Sequence, residues 1–173
     1  MPAHVFVDET KARGVVLTAI TLLPCNLAMA RKVMRGFVMP AQRRIHFVHE
    51  SDAPRKQILD GIAELEPSAA IYDAGAWPRR QQREACLRAL VADLAVLDAE
   101  LLVLERDDSI VTLDNRILYQ RVRELGCDRL RYAHMRAHEE PLLAIPDAVA
   151  WSCQRGGQWR ERVREIVSDV RTL

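Results

Sequence analysis

No stretch of this 173-residue sequence approaches the roughly 18 consecutive apolar residues that mark a membrane helix. Asp8 and Glu9 fall where a secretory leader would carry its apolar core, so a cytoplasmic protein is expected. The four cysteines, Cys25, Cys86, Cys127 and Cys153, form no C-x-x-C pair. That spacing argues against a zinc ribbon or a thioredoxin-like centre and fits reduced thiols. Neither G-x-x-x-x-G-K nor G-x-G-x-x-G occurs among the 7 glycines, which leaves a glycine-loop nucleotide site without support. There is no Gly-x-Ser-x-Gly elbow, which argues against a serine hydrolase. Lysine is scarce, 3 residues against 22 arginines. Almost every cation is therefore a planar fork suited to phosphate or carboxylate. The net charge of +1 excludes a strongly basic nucleic-acid coat, although a local basic groove remains open.

What is present is an ordinary globular mixture, 49% apolar and 28% charged. At roughly 100–200 residues per domain, residues 1–173 are expected to form one unit that needs no metal or disulfide staple to fold. There is no repeat or low-complexity tract. Residues 4–7 and 15–23 read as two β-strands joined by a polar turn, an antiparallel hairpin. A helix follows over 27–38, a third strand over 44–48 (RIHFV), and a helix from about Pro54 to Pro67. The second half alternates: strand 69–73, helix 81–97, strand 101–105, helix 113–125, strand 129–133 and helix 142–154 around Pro146. A closing mixed-charge helix is expected at about 157–172. The fold class implied is α/β, with a hairpin first and parallel strands after it, covered by helices.

Three of these strands end in carboxylates: Asp8 after HVFV, Asp73 after AAIY and Glu105 after LLVL. Asp147 stands in an apolar setting, LLAIPDAVAW, where an unpaired charge is costly. Open α/β sheets bind ligands beyond the carboxyl ends of their strands. Acids gathered there repel one another unless a divalent cation neutralises them, and oxygen ligands suit Mg²⁺ or Mn²⁺. Each acid also has a plainer explanation. Asp73 fits Asp-Ala-Gly turn chemistry, and Asp147 could simply favour a helix N-terminus behind Pro146.

The opening VFVDET, followed after a short gap by GVVLTAITL, resembles the start of a broad group of uncharacterised proteins in the ribonuclease-H-like superfamily. That group opens on a strand ending in Asp-Glu-Ser and often has a histidine after its third strand, as His46 stands in IHF. It often closes on Leu-Leu-x-x-x-Asp-x-x-Ala, which LLAIPDAVAW matches. The likeness spans about residues 4–155. It implies a ribonuclease-H-like mixed sheet with a nuclease-type core. Asp8 is its first-strand acid, Glu105 or Asp73 a later one, and Asp147 the acid of the late helix. The chain departs from the pattern at Thr10, where serine is usual, and at Pro146. Glu50 is the nearest match to the superfamily's helix-borne glutamate.

The function expected is a metal-dependent nuclease for RNA or DNA. Asp8, Glu105 and Asp147 would hold one or two Mg²⁺ or Mn²⁺ ions, with Asp73 or Asp108 as a further ligand. His46 is the candidate proton shuttle or substrate contact, and Arg43 and Arg44 the candidate phosphate grips. The second expectation is a catalytically inactive scaffold of the same fold that binds nucleic acid, a protein or a second copy of itself. A phosphoacceptor receiver ranks last, because residues 15–23 read as a strand where that fold needs a helix. His134 and His138 have zinc-ligand spacing only on a helix, and their segment reads as strand and loop. His46 and His49 would face opposite ways on a strand. Arg160, Arg162 and Arg164 interleave with Glu161 and Glu165 as a salt-bridged face. Trp151 and Trp159 read as seals for the last helix.

Overall fold

The computed structural model describes residues 2–173. Strands β1 (His4–Thr10) and β2 (Val16–Leu22) form the expected hairpin, in register from His4 opposite Leu22 to Thr10 opposite Val16. Helices α1 (Leu27–Gly36) and α2 (Asp52–Glu64) follow, and then β3 (Ser68–Asp73), antiparallel to β2. Two crossovers come next: α3 (Arg79–Leu97) to β4 (Leu101–Glu105), and α4 (Val111–Leu125) to β5 (Arg131–Met135). β4 lies parallel to β1, and β5 parallel to β4. The chain ends with α5 (Ala144–Arg155), α6 (Gly157–Arg162) and β6 (Val167–Thr172). The sheet order is β5-β4-β1-β2-β3-β6.

Strand alternation divides the core between two faces. Phe6, Ile20, Leu22 and Val103 point to the face covered by α1, α2, α5 and α6, where Met34, Ile62, Val149 and Trp159 are buried. Val5, Val7, Leu17, Leu102 and Leu104 point to the other face, against Leu87, Leu90, Ile117 and Leu118 of α3 and α4. Asp8 has the parity of Phe6, and Glu105 that of Val103. Both therefore face the layer that holds α5.

Two expected elements are different in the structure. Residues 44–48 are not a strand. The chain there runs through a single 3₁₀ turn, Phe47–His49. Ile45 and Phe47 are buried in the α1/α2/α5 core, so the alternation is that of an anchored loop. The 157–172 helix is also shorter than expected. It stops at Arg162, and the β-branched end of the chain adds to β3 as a parallel edge strand, led in by the Ala69 N–H to Ile166 carbonyl bond of 2.9 Å. Tertiary pairing here overrides local propensity. Pro146 does not disturb α5, because it is the third helical residue, where a backbone N–H has no intrahelical acceptor in any case.

The 3₁₀ turn is held by Arg55 of α2. Its guanidinium donates to the carbonyls of Phe47 (3.0 Å) and Val48 (2.7 Å) and lies 4.2 Å from the Trp151 ring centroid. Trp151 in turn packs edge-on against Phe47 and Trp159, both at 5.3 Å between centroids. Arg55→Leu keeps apolar bulk but loses two charged hydrogen bonds and the stacking, so a loss of about 2–4 kcal/mol is expected. Urea denaturation measures it, and a change below about 0.5 kcal/mol would show that the turn does not depend on Arg55.

Candidate carboxylate site

Asp8, Glu105 and Asp147 come from β1, β4 and α5. The β1/β4 register pairs Val7 with Leu104, which brings the next residues, Asp8 and Glu105, alongside each other on one face. The two carboxyl groups are close enough for the Glu105 charge to bear on Asp8. Asp147, in the first turn of α5, adds its charge from above. Burial, then the Glu105 and Asp147 charges, push the Asp8 carboxyl up to about 9. Burial, then Glu105, raise Asp147 to about 6. The Arg44 guanidinium opposes both shifts and pairs with Glu105 at 3.4 Å. Asp8 Oδ1 also accepts the Glu9 N–H at 2.7 Å. Buried Thr18 stands opposite Asp8 on β2.

A cleft of about 530 Å³ lies beyond the ends of β1 and β4; Asp8 and Glu105 contribute to its wall, with Glu9, Arg83 and Leu17 of the α3-facing side, the 106–110 loop, Lys11 and Arg136, while Asp147 and Arg44 do not reach it. Asp108 is on this rim, but its oxygens accept from Arg106 (2.6 Å) and Arg136 (2.9 Å). Asp73 is not part of the group. It ends β3, across β2 from β1, with Val16 standing between it and Thr10 in the register. Strands about 4.8 Å apart put it roughly 10 Å from the end of β1, too far for an ion shared with Asp8. Its Oδ1 instead accepts the Gly75 N–H at 2.8 Å, the Asx-turn role open to an Asp-Ala-Gly sequence.

His46 and His49 face each other, with ring centroids 6.2 Å apart. A strand would have separated them, whereas a 3₁₀ turn brings residues three apart together. Glu50 closes that turn, its N–H reaching the Phe47 carbonyl, and precedes α2. His134 is on β5 and hydrogen-bonds Asp114 at 3.0 Å, so it makes no pair with His138.

Asp114 belongs to a buried network that the sequence reading did not find. Arg83 of α3 grips it through both nitrogens of a fork, at 2.6 and 2.7 Å, and also pairs with Glu9. Burial opposes ionisation of Asp114, but the bonds from Arg83 and His134 outweigh it and hold its carboxyl below the usual range. Glu9 has opposite parity to Asp8, so the Asp-Glu pair sends one acid to each face of the sheet. Period-two alternation in VFVDET is the signal that could have revealed it.

Among the described residues, no group of three or more His, Cys, Asp or Glu side chains is placed to hold a metal ion. The Asp8–Glu105 pair nevertheless suits Mg²⁺ or Mn²⁺. Mg²⁺ commonly takes one or two carboxylates and completes its shell with water and substrate phosphates. A cation would also offset the burial and the neighbouring charges that raise the Asp8 carboxyl.

Comparison with solved structures places the chain in the ribonuclease-H-like fold. A ribonuclease HII from Archaeoglobus fulgidus, solved in complex with PCNA, superposes with a TM-score of 0.57. The match covers 95% of this chain and 74% of that one, at 17% identity. No protein-family model matches the sequence, and no curated protein matches it either. No helix among the described residues is long and apolar enough to cross a membrane.

Proposed function

We propose that this chain is a metal-dependent nuclease, hydrolysing phosphodiester bonds of RNA or DNA, and that residues 1–173 act as one ribonuclease-H-like unit. The sequence patterns at VFVDET and LLAIPDAVAW support grouping it with the uncharacterised proteins they resemble. One observation carries the reading. Asp8, Glu105 and Asp147, drawn from positions nearly 140 apart in sequence, lie on the α5-facing side of the strand ends, near enough for the Glu105 and Asp147 charges to raise the Asp8 carboxyl.

Asp8, Glu105 and Asp147 would hold the ion. A bound Mg²⁺ or Mn²⁺ would supply positive charge to the reacting phosphate and acidify water. Asp8 and Glu105 would hold that charge beyond the ends of β1 and β4. Asp147 would bring a third negative charge from the first turn of α5. Arg44, held against Glu105, can donate to a phosphate oxygen and orient the backbone. His46 and Arg43 remain proposed substrate contacts.

A catalytically inactive scaffold that binds nucleic acid, a protein or a second copy is the alternative. It is favoured by Arg44, which already serves Glu105 as a counter-ion. A gel assay with single-stranded, duplex and hybrid substrates in Mg²⁺ and in Mn²⁺ decides between them. Cleavage lost in Asp147→Asn supports the nuclease, whereas binding without cleavage, unchanged in that variant, supports the scaffold. In addition, millimolar Mn²⁺ should raise the melting temperature of the wild-type protein and not that of Asp8→Asn. No rise in the wild type would remove the metal from the proposal.

A further inference from the structure

Beside the carboxylates is a second cavity, of about 250 Å³, between the end of α1, the loop that follows it and the first turn of α5. The polar side chains that line it are Arg35, Arg43, Arg44 and His138, and no carboxylate is among them. That is unusual in this molecule, where most arginines face an acid. Two neighbouring acids are already engaged. Glu140 is held by Arg31 at 2.7 Å and accepts the Leu142 N–H, while Glu139 accepts the Arg136 N–H at 2.8 Å. Arg31 and Arg35 are one turn apart on α1, so the first neutralises Glu140 and the second is left without a partner. Arg43 has no carboxylate partner among the described residues either. The cavity shares Arg44 with Glu105, and its Ala144 wall lies three residues before Asp147 on α5.

We propose that this cavity is a phosphate subsite that holds the backbone of a nucleic-acid strand one step away from the carboxylates. The Arg35 and Arg43 forks, which line one cavity without a carboxylate partner, fit a tetrahedral oxyanion, and Arg44 and His138 add further donors. The assignment of the anion to a nucleic-acid backbone rests on the nuclease reading; the anion site itself does not.

The test has two arms, both in EDTA so that no metal is needed. Inorganic phosphate is titrated into the protein while the His138 and arginine side-chain NMR signals are followed. Saturable shifts at His138, Arg35 and Arg43 are expected, with affinity at least tenfold weaker in the Arg35→Gln/Arg43→Gln double variant and unchanged in Asp8→Asn. Shifts that do not saturate, or that persist in the double variant, overturn the site. In the second arm, binding of a short single-stranded oligonucleotide is measured against salt. The double variant should lower the slope by about two, roughly one per lost phosphate contact, with its melting temperature unchanged. Phosphate binding with no competition from the oligonucleotide overturns the backbone assignment. An intact slope effect in a protein that never cleaves leaves the subsite standing and removes the nuclease.

Discussion

Asp8→Asn should abolish metal-dependent cleavage, by roughly 10²–10³-fold or more on the scale of a single lost transition-state contact, without unfolding the protein. The carboxamide has the shape of the neutral acid, and with its carboxyl raised to about 9 Asp8 carries a proton at pH 7 when no metal is bound. The same shift makes stability depend on pH. The unfolded chain ionises Asp8 near 3.8, whereas the folded chain keeps the proton to about 9. Between those values the folded state binds more protons, so stability is full below the unfolded value and falls as pH rises toward 9. The slope is at most about 1.4 kcal/mol per pH unit for one proton. Asp147, raised to about 6, adds to the loss over the lower part of that window. Urea denaturation in EDTA at pH 5, 7 and 9 should show the wild type weakening and Asp8→Asn nearly flat above pH 6. Equal slopes in the two proteins would mean that Asp8 is not a buried neutral acid. Because a cation needs the ionised carboxylates, the Mn²⁺ stabilisation should also grow with pH.

The largest stability effect is expected at Asp114, which is 31 residues from its partner Arg83 in α3 and 20 from His134 in β5. Asp114 is fully buried, and Arg83 is nearly so. Asp114→Ala leaves the Arg83 fork and His134 without their shared acceptor, with only Glu9 to answer the guanidinium charge. Breaking a buried pair by removing one partner costs about 3–5 kcal/mol, or roughly 10 °C in melting temperature at this size. Since folding holds the Asp114 carboxyl below the usual range, its contribution is present above about pH 4 and is lost as pH falls through the folded value. Thermal melts at pH 7 and pH 3 test both parts. A variant within 1 kcal/mol of wild type at pH 7 would show that the network contributes little. Arg83 also lines the cleft, so a milder loss of activity should accompany the loss of stability.

The hairpin and the βα alternation could be read from local pattern, whereas the association of Asp8 with Asp147 came only from the family resemblance. VFVDET and VVLTAITL alternate or run apolar as buried strands must, and a proline stops the second. The helix around Pro146 was legible as well, because a first-turn proline interrupts no hydrogen bond. Residues 44–48 and 157–172 were not. Burial of Ile45 and Phe47 mimics a strand whether or not the backbone finds a ladder, and SDVRT becomes a strand only because β3 presents an open edge.

The sequence alone determined which residues are acids at strand ends and which faces they take, because side-chain parity is a local property of an extended chain. Only the tertiary structure decided that Glu105, and not Asp73, joins Asp8. That choice depends on strand order: β4 pairs directly with β1, while β2 lies between β1 and β3. The partners of Arg83 and the bare arginines of the second cavity were settled in the same way. Whether a charge is answered depends on which helices pack together, and no spacing within a single element encodes that.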